Sequence, residues 1–314
     1  MSWPPGCPEP RVAHAPPADG SRAAAAVALA ERLGVVLDGW QRGVLDACLG
    51  RDDGRWAAFE VGLIVPRQNG KSLLCAVREL AGLLLFGERL VIHSAHEWRT
   101  VSQQFRLTVD LIENSPLRAL VAQVRRTGGE EAIEFAGGAR LRFMNRSKES
   151  ARGFSADCVV LDEAHALTEE QAGALLPTLS SRPDPQVWYA AAGPAPGAWQ
   201  LSRLRSRVAG ADPGRLAWHE WSADPAVDLE DEQVWAACNP GVAAGRLSVE
   251  RMREERAGLG PAGFAAERLA AAPWPAELEG IWQVITADAW AACSSPAADL
   301  GLAPPLAAAP PAPR

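Results

Sequence analysis

The sequence predicts an α/β fold, a mostly parallel sheet with helices on both faces, plus a small helical appendage. Three observations predict it. Apolar runs of strand length alternate with segments of helical spacing from about residue 40 to 223, and that alternation builds parallel sheets. One run, Val61 to Val65, leads into Pro66-Arg67-Gln68-Asn69-Gly70-Lys71-Ser72 and then into Leu73, Leu74, Val77, Leu80, Leu83 and Leu84 at helical spacing. Strand, loop and helix in that order are the context of a phosphate-binding loop. A second run, Cys158 to Leu161, ends in Asp162-Glu163, and in open α/β sheets ligands sit at the carboxyl ends of such buried strands.

The remaining elements follow in order. Pro- and Ala-rich residues up to about 20 read as a disordered lead-in. Ala23 to Leu33 is helical, and Asp38 is placed to cap a further helix with Trp40 and Gln41 in its first turn. An amide offers a donor and an acceptor together, which suits an adenine edge, whereas spacing alone favours a core Trp and a surface Gln. Leu90 to Ser94 reads as a strand and Glu97 to Ile112 as a helix. Val121 to Arg126, Glu131 to Phe135 and Ala139 to Met144 read as short strands, the last two joined at Ala136-Gly137-Gly138. Arg140, Arg142, Arg146, Lys148 and Arg152 then lead into the carboxylate strand. They form either a solvated face or, for Arg152, a projection toward phosphate.

Thr168 caps a helix to Leu179 with Glu169 and Glu170 in its first turn, Gln186 to Ala192 is a strand, Gly197 to Val208 a helix and Leu216 to Trp221 a strand. Beyond Asp224 the pattern is helical, in Glu230 to Ala237, Ser248 to Ala257 and Pro261 to Ala270, with a turn at Asn239-Pro240-Gly241. From Ser294 the chain is a Pro- and Ala-rich run unsuited to a core.

Composition bounds the function. The chain has 314 residues, a net charge of −7 and six scattered cysteines without a Cys-x-x-Cys pair, which points to a reducing, cytoplasmic setting and away from zinc. His93 and His96 lack companion ligands. No apolar run is long enough to span a membrane, and the start is not a signal peptide. The overall charge argues against a wholly basic nucleic-acid binder and allows a local basic face.

The loop's chemistry is specific. Amides at a helix start have no intrahelical partner and, with the helix dipole, attract phosphate oxygens. Gly70 permits close approach, Lys71 can reach the β- and γ-phosphates of ATP, and the Ser72 hydroxyl can ligate Mg²⁺. Val65 stands where such loops usually open with glycine. The bland alternative is a helix start without a ligand. Only two lysines occur in the chain, Lys71 and Lys148, so a lysine at the one position that wants a slender ammonium weighs against accident. Asp162 would hold the Mg²⁺ and Glu163 would orient or deprotonate the attacking water.

These residues carry a family resemblance. Trp40-Gln41, Pro66 to Ser72, Arg152-Gly153-Phe154-Ser155 before Leu161-Asp162-Glu163-Ala164-His165, and Trp235 with Asn239-Pro240 resemble the large terminase subunit of tailed bacteriophages, over roughly residues 36 to 292. The resemblance implies a P-loop NTPase sheet of RecA-like, terminase-like type. It implies an ATPase domain over residues 23–224, a helical linker or lid over 225–292 and a disordered tail over 293–314. It implies that Gln68, Asn69, Gly70, Lys71 and Ser72 bind the triphosphate with Asp162, that Glu163 is the catalytic carboxylate, and that Gln41 reads adenine. Arg67 would add a cation near the phosphates, and Arg152 would act on a neighbouring subunit's nucleotide. The implied partners are a homo-oligomeric ring, double-stranded DNA held by its phosphates, a portal protein and a small terminase subunit, in the bacterial host cytosol.

Two departures stand out. Where the family carries a Thr or Ser that couples hydrolysis to movement, this chain has Ala190-Ala191-Ala192-Gly193. After Ile281 to Ile285, Asp288 and Asp299 lack a strand to position them, so nuclease activity is not expected. Two rivals remain, a non-hydrolysing remnant that binds nucleotide or partner subunits, and a helicase with the Asp-Glu-Ala-His box spelled by Asp162 to His165.

Overall fold

The protein is described from a computed structural model over residues 7–146, 155–210, 212–224 and 226–275. The strands are β1 (Val12–His14), β2 (Gly20–Ser21), β3 (Gly50–Asp52), β4 (Arg55–Trp56), β5 (Glu60–Ile64), β6 (Leu90–Ala95), β7 (Val121–Arg125), β8 (Ala132–Phe135), β9 (Arg140–Asn145), β10 (Cys158–Leu161), β11 (Gln186–Ala191) and β12 (Leu216–Glu220). The helices are α1 (Ala23–Arg32), α2 (Gly39–Cys48), α3 (Lys71–Leu85), α4 (Trp98–Glu113), α5 (Glu169–Leu179), α6 (Trp199–Ala209), α7 (Glu232–Cys238), α8 (Pro240–Ala243) and α9 (Val249–Leu269).

Nine strands form one sheet in the order β1-β12-β5-β11-β10-β6-β9-β8-β7. The six from β12 to β9 run parallel; β1 pairs antiparallel with β12 at one edge, and β8 and β7 extend the other edge antiparallel. One face packs on α1 to α4 through residues such as Leu29, Trp40, Val77 and Phe105, and the other on α5 and α6 through Leu175, Leu179, Leu201 and Leu204. All five residues of β5 are buried. Gly62 lies opposite Trp218, and a β-carbon there would stand 2.1 Å from the indole, so the glycine is what lets the tryptophan cover the strand. Beneath α3, Arg78 and Glu88 are both buried and joined by two hydrogen bonds, of 2.7 and 3.0 Å.

The strand order positions the site. β11 lies between β5 and β10, so the phosphate loop and the carboxylate pair emerge from strands one place apart at the same edge. The α7–α9 appendage has its own apolar cluster, in which Trp235 and Phe264 stack at 4.7 Å.

Some expectations are corrected. Residues 12–14 are not a disordered lead-in but an edge strand, because an unpaired β12 edge offers ladder partners to the chain that passes it. Residues 20–21, 50–52 and 55–56 form a small second sheet that short, polar strands did not announce. Gln41 is fully buried rather than at the surface, whereas Trp40 is the core residue its spacing favours, packed edge-on against Trp221 at 5.3 Å. Arg146 is buried too, not part of a solvated face. Pro240–Ala243 closes into a helical turn, with Pro240 at its first position. The helical pair over 248–270 is one run broken at Gly260, whose φ of 70° leaves the helical region. The expected tail, and Arg152, lie outside the described residues.

Candidate nucleotide site

The loop from Val65 to Gly70 joins β5 to α3. Gly70 has φ 101° and Gln68 φ 64°, left-handed values that turn successive amides to one side. A non-glycine residue held there costs on the order of 1 kcal/mol, and such strain gathers at functional sites. Among the described residues none of the backbone amides from Arg67 to Ser72 donates a hydrogen bond. Six free donors at the start of a fifteen-residue helix make a ready anion cradle.

Lys71 and Asp162 meet across the cleft, with Nζ 3.9 Å from Oδ1. Asp162 is buried, its Oδ1 accepting from the Glu163 amide at 2.9 Å. Arg146, 7% exposed, donates to the Asp162 carbonyl at 2.6 Å and fixes the backbone there; burial, outweighing the pull of Glu163 and Asp162, lowers its pKa to about 10. Glu163 has φ 51°. Its carboxylate turns toward the start of α4, where it accepts from Thr100 Oγ1 at 2.8 Å and from the Glu97 amide at 3.1 Å. Lys71, Ser72, Thr100, Asp162 and Glu163 all line one cleft of about 450 Å³, which Ala192 also borders. His165 stands there as well, its pKa lowered by burial. Behind the cleft His93 and Glu79 form a fully buried pair at 2.6 Å.

The side chains of three expected nucleotide ligands are engaged elsewhere. Gln41 donates to the Gly70 carbonyl at 2.9 Å and accepts from the Asp38 amide at 2.8 Å, so its amide braces the loop instead of facing the cleft. Asn69 accepts from the Gly241 amide and donates to Asn239 and to the Pro66 carbonyl. Gln68 accepts from Arg268. Gln68 still lines the cleft, whereas Asn69 is fully buried outside its lining. Arg67 pairs with Glu267 of α9 at 2.7 Å. The oxygens of Ser72 and Asp162 are hard donors that would suit Mg²⁺.

Sequence reasoning missed Thr100, Arg146 and Arg268. Thr100 lay inside an expected helix, and Arg146 inside a basic cluster. Nothing local marked Arg268.

No protein-family model and no curated protein sequence matches the chain. Solved structures do. The HK97 bacteriophage large terminase superposes with a TM-score of 0.68 at 19% identity, covering 80% of this chain and 55% of that one. The large terminase ATPase domain of Thermus phage P74-26 superposes with a TM-score of 0.55 at 17% identity, over 78% of this chain and 97% of that domain. The fold is that of a large terminase ATPase domain. The chain thus spans about half the length of the HK97 terminase and nearly the whole of the P74-26 ATPase domain. Within this terminase fold, the free amides, Lys71 and the Asp162-Glu163 pair converge on a single cleft.

Proposed function

We propose that this chain is the ATPase region of a DNA-packaging motor, hydrolysing ATP with Mg²⁺ to drive double-stranded DNA into a procapsid. The observation that carries the reading is the run of unengaged amides from Arg67 to Ser72 at the start of α3, beside the Lys71–Asp162 pair in the same cleft. The amides and Lys71 would hold the β- and γ-phosphates, and Ser72 and Asp162 would hold Mg²⁺. The metal would neutralise charge developing on the bridging and terminal oxygens. Glu163 would take a proton from the water that attacks the γ-phosphorus as the bond to ADP breaks, releasing ADP and inorganic phosphate. DNA would be held through its phosphates, without reading sequence. Assembly as a homo-oligomeric ring is part of this proposal, with Arg152 completing a neighbour's site. Portal and small-subunit contacts and a host-cytosol location belong to the same proposal.

A second reading, nucleotide binding without turnover, has one observation in its favour. The Glu163 carboxylate is already engaged, accepting from Thr100 and the Glu97 amide. ATP turnover across a range of protein concentrations, with Glu163→Gln as the blank, separates the two. Specific activity that rises with concentration and is absent from the variant supports the motor; activity at the level of the variant throughout supports binding alone.

A further inference from the structure

A loop that turns its amides inward to phosphate turns its carbonyls outward, and each outward carbonyl then needs a donor. Three are supplied by side chains. The Pro66 carbonyl accepts from Asn69 Nδ2 at 3.1 Å, the Arg67 carbonyl from Arg268 Nη1 at 2.9 Å, and the Gly70 carbonyl from Gln41 Nε2 at 2.9 Å. Arg268 Nη2 also donates to Gln68 Oε1 at 2.9 Å, at the residue with the strained left-handed backbone.

Arg268 comes from the last turn of α9, is only 4% exposed, and is held on its other side by Glu255. Asn239, fully buried, ties the same two parts together. Its Oδ1 accepts from Asn69 at 2.9 Å, and its Nδ2 donates to the Arg268 carbonyl at 2.7 Å and to the Trp235 carbonyl at 2.9 Å. Gly241 lends its amide to Asn69 Oδ1 at 2.8 Å, and a β-carbon on it would stand 2.9 Å from that oxygen. The appendage therefore grips the loop through the Arg67 carbonyl and the side chains of Gln68 and Asn69, by buried and charge-assisted hydrogen bonds.

We infer that Arg268 and Asn239 are positioning residues of the phosphate loop, through which the packing of α7–α9 sets the affinity of the site for nucleoside triphosphate and diphosphate. This rests on the nucleotide reading above. The coupling is reciprocal: an appendage that releases the Arg67 carbonyl and the Gln68 and Asn69 side chains loosens the amide alignment, and bound phosphate favours the seated appendage.

The test compares the full chain with Arg268→Ala, Arg268→Lys and Arg253→Ala, measuring ADP affinity by calorimetry and KM and kcat for ATP. Arg253 lies on the same helix but pairs at the surface with Glu232, away from the loop. Loss of charge-assisted bonds to the loop should weaken ADP binding and raise KM about tenfold in Arg268→Ala, with a smaller change in kcat. Arg268→Lys, which keeps the charge and can reach one acceptor, should recover part of the loss, and Arg253→Ala should match the parent. Unchanged affinity in Arg268→Ala, or an equal loss in Arg253→Ala, overturns the inference. Should Arg268→Ala not fold, parental affinity in Arg268→Lys overturns it instead. A parent chain that binds neither ADP nor ATP overturns the nucleotide reading itself, a separate result visible before any variant is compared.

Discussion

Thr100 Oγ1 donates a hydrogen bond to Glu163 Oε1 at 2.8 Å, and the Glu97 amide takes the other carboxylate oxygen at 3.1 Å. The residue proposed to activate water is thereby seated on the N-terminus of α4, where the helix dipole favours a negative charge. To act at a γ-phosphate beside Lys71 it must leave that seat. Removing the hydroxyl should make leaving easier. Thr100→Ala is expected to raise basal ATP turnover about tenfold, the lower end of what one hydrogen bond to a charged group is worth, read as phosphate release without DNA. A fall in turnover instead would mean that Thr100 holds Glu163 in its working position.

Among the described residues Lys71 is the only ammonium at the cleft, and it sits opposite Asp162. Lys71→Ala should abolish measurable nucleotide binding by calorimetry, because the triphosphate loses its main cation and Asp162 loses its counter-charge. Binding at parental affinity would move the nucleotide away from this loop.

Glu163→Gln keeps the size of the side chain and loses its capacity to accept a proton. ADP affinity should stay within about twofold of the parent, while turnover should fall by a factor of about 10² or more. Retained turnover would place the proton acceptor elsewhere.

In the Arg78–Glu88 pair Arg78 is fully buried and Glu88 nearly so, and Arg78 also donates to Gln186 at 3.0 Å. Glu88→Ala would leave a buried guanidinium without its carboxylate. Urea denaturation should show a loss of about 3 to 5 kcal/mol. A loss below about 1 kcal/mol would show that water reaches Arg78.

His93 and Glu79 form a buried pair behind the cleft, and His93 is raised above the ordinary imidazole value: burial lowers it, but the Glu79 carboxylate more than compensates. The folded state then holds the imidazole proton more tightly than the unfolded chain. Its stabilising contribution is present below about pH 6.5 and is lost as pH rises through the elevated folded value. The urea midpoint of the parent should therefore fall between pH 6 and pH 8 more steeply than that of His93→Gln. Equal slopes would remove His93 as the source.

What could be read along the chain was whatever depends on neighbours in sequence. The alternation of strand and helix, the loop between β5 and α3, the adjacent carboxylates after β10, and the Thr168 cap with its acidic first turn all arise from spacing within a few residues, so the fold class and the cleft's Lys71, Ser72, Asp162 and Glu163 were legible. The roles of single polar side chains were not. Gln41, Gln68 and Asn69 belong to the motif by position, yet their amides answer to Gly70, Arg268, Gly241 and Asn239, partners that only folding brings near. Thr100 meets Glu163 across 63 residues of chain, and Arg268 meets the Arg67 carbonyl across 201. A hydrogen bond at such separation leaves no periodicity or spacing in the sequence, because its geometry is set by how whole elements pack. The sequence by itself determined that a phosphate loop and a carboxylate pair would share one sheet edge. Tertiary structure decided where the glutamate rests and what holds the loop in shape.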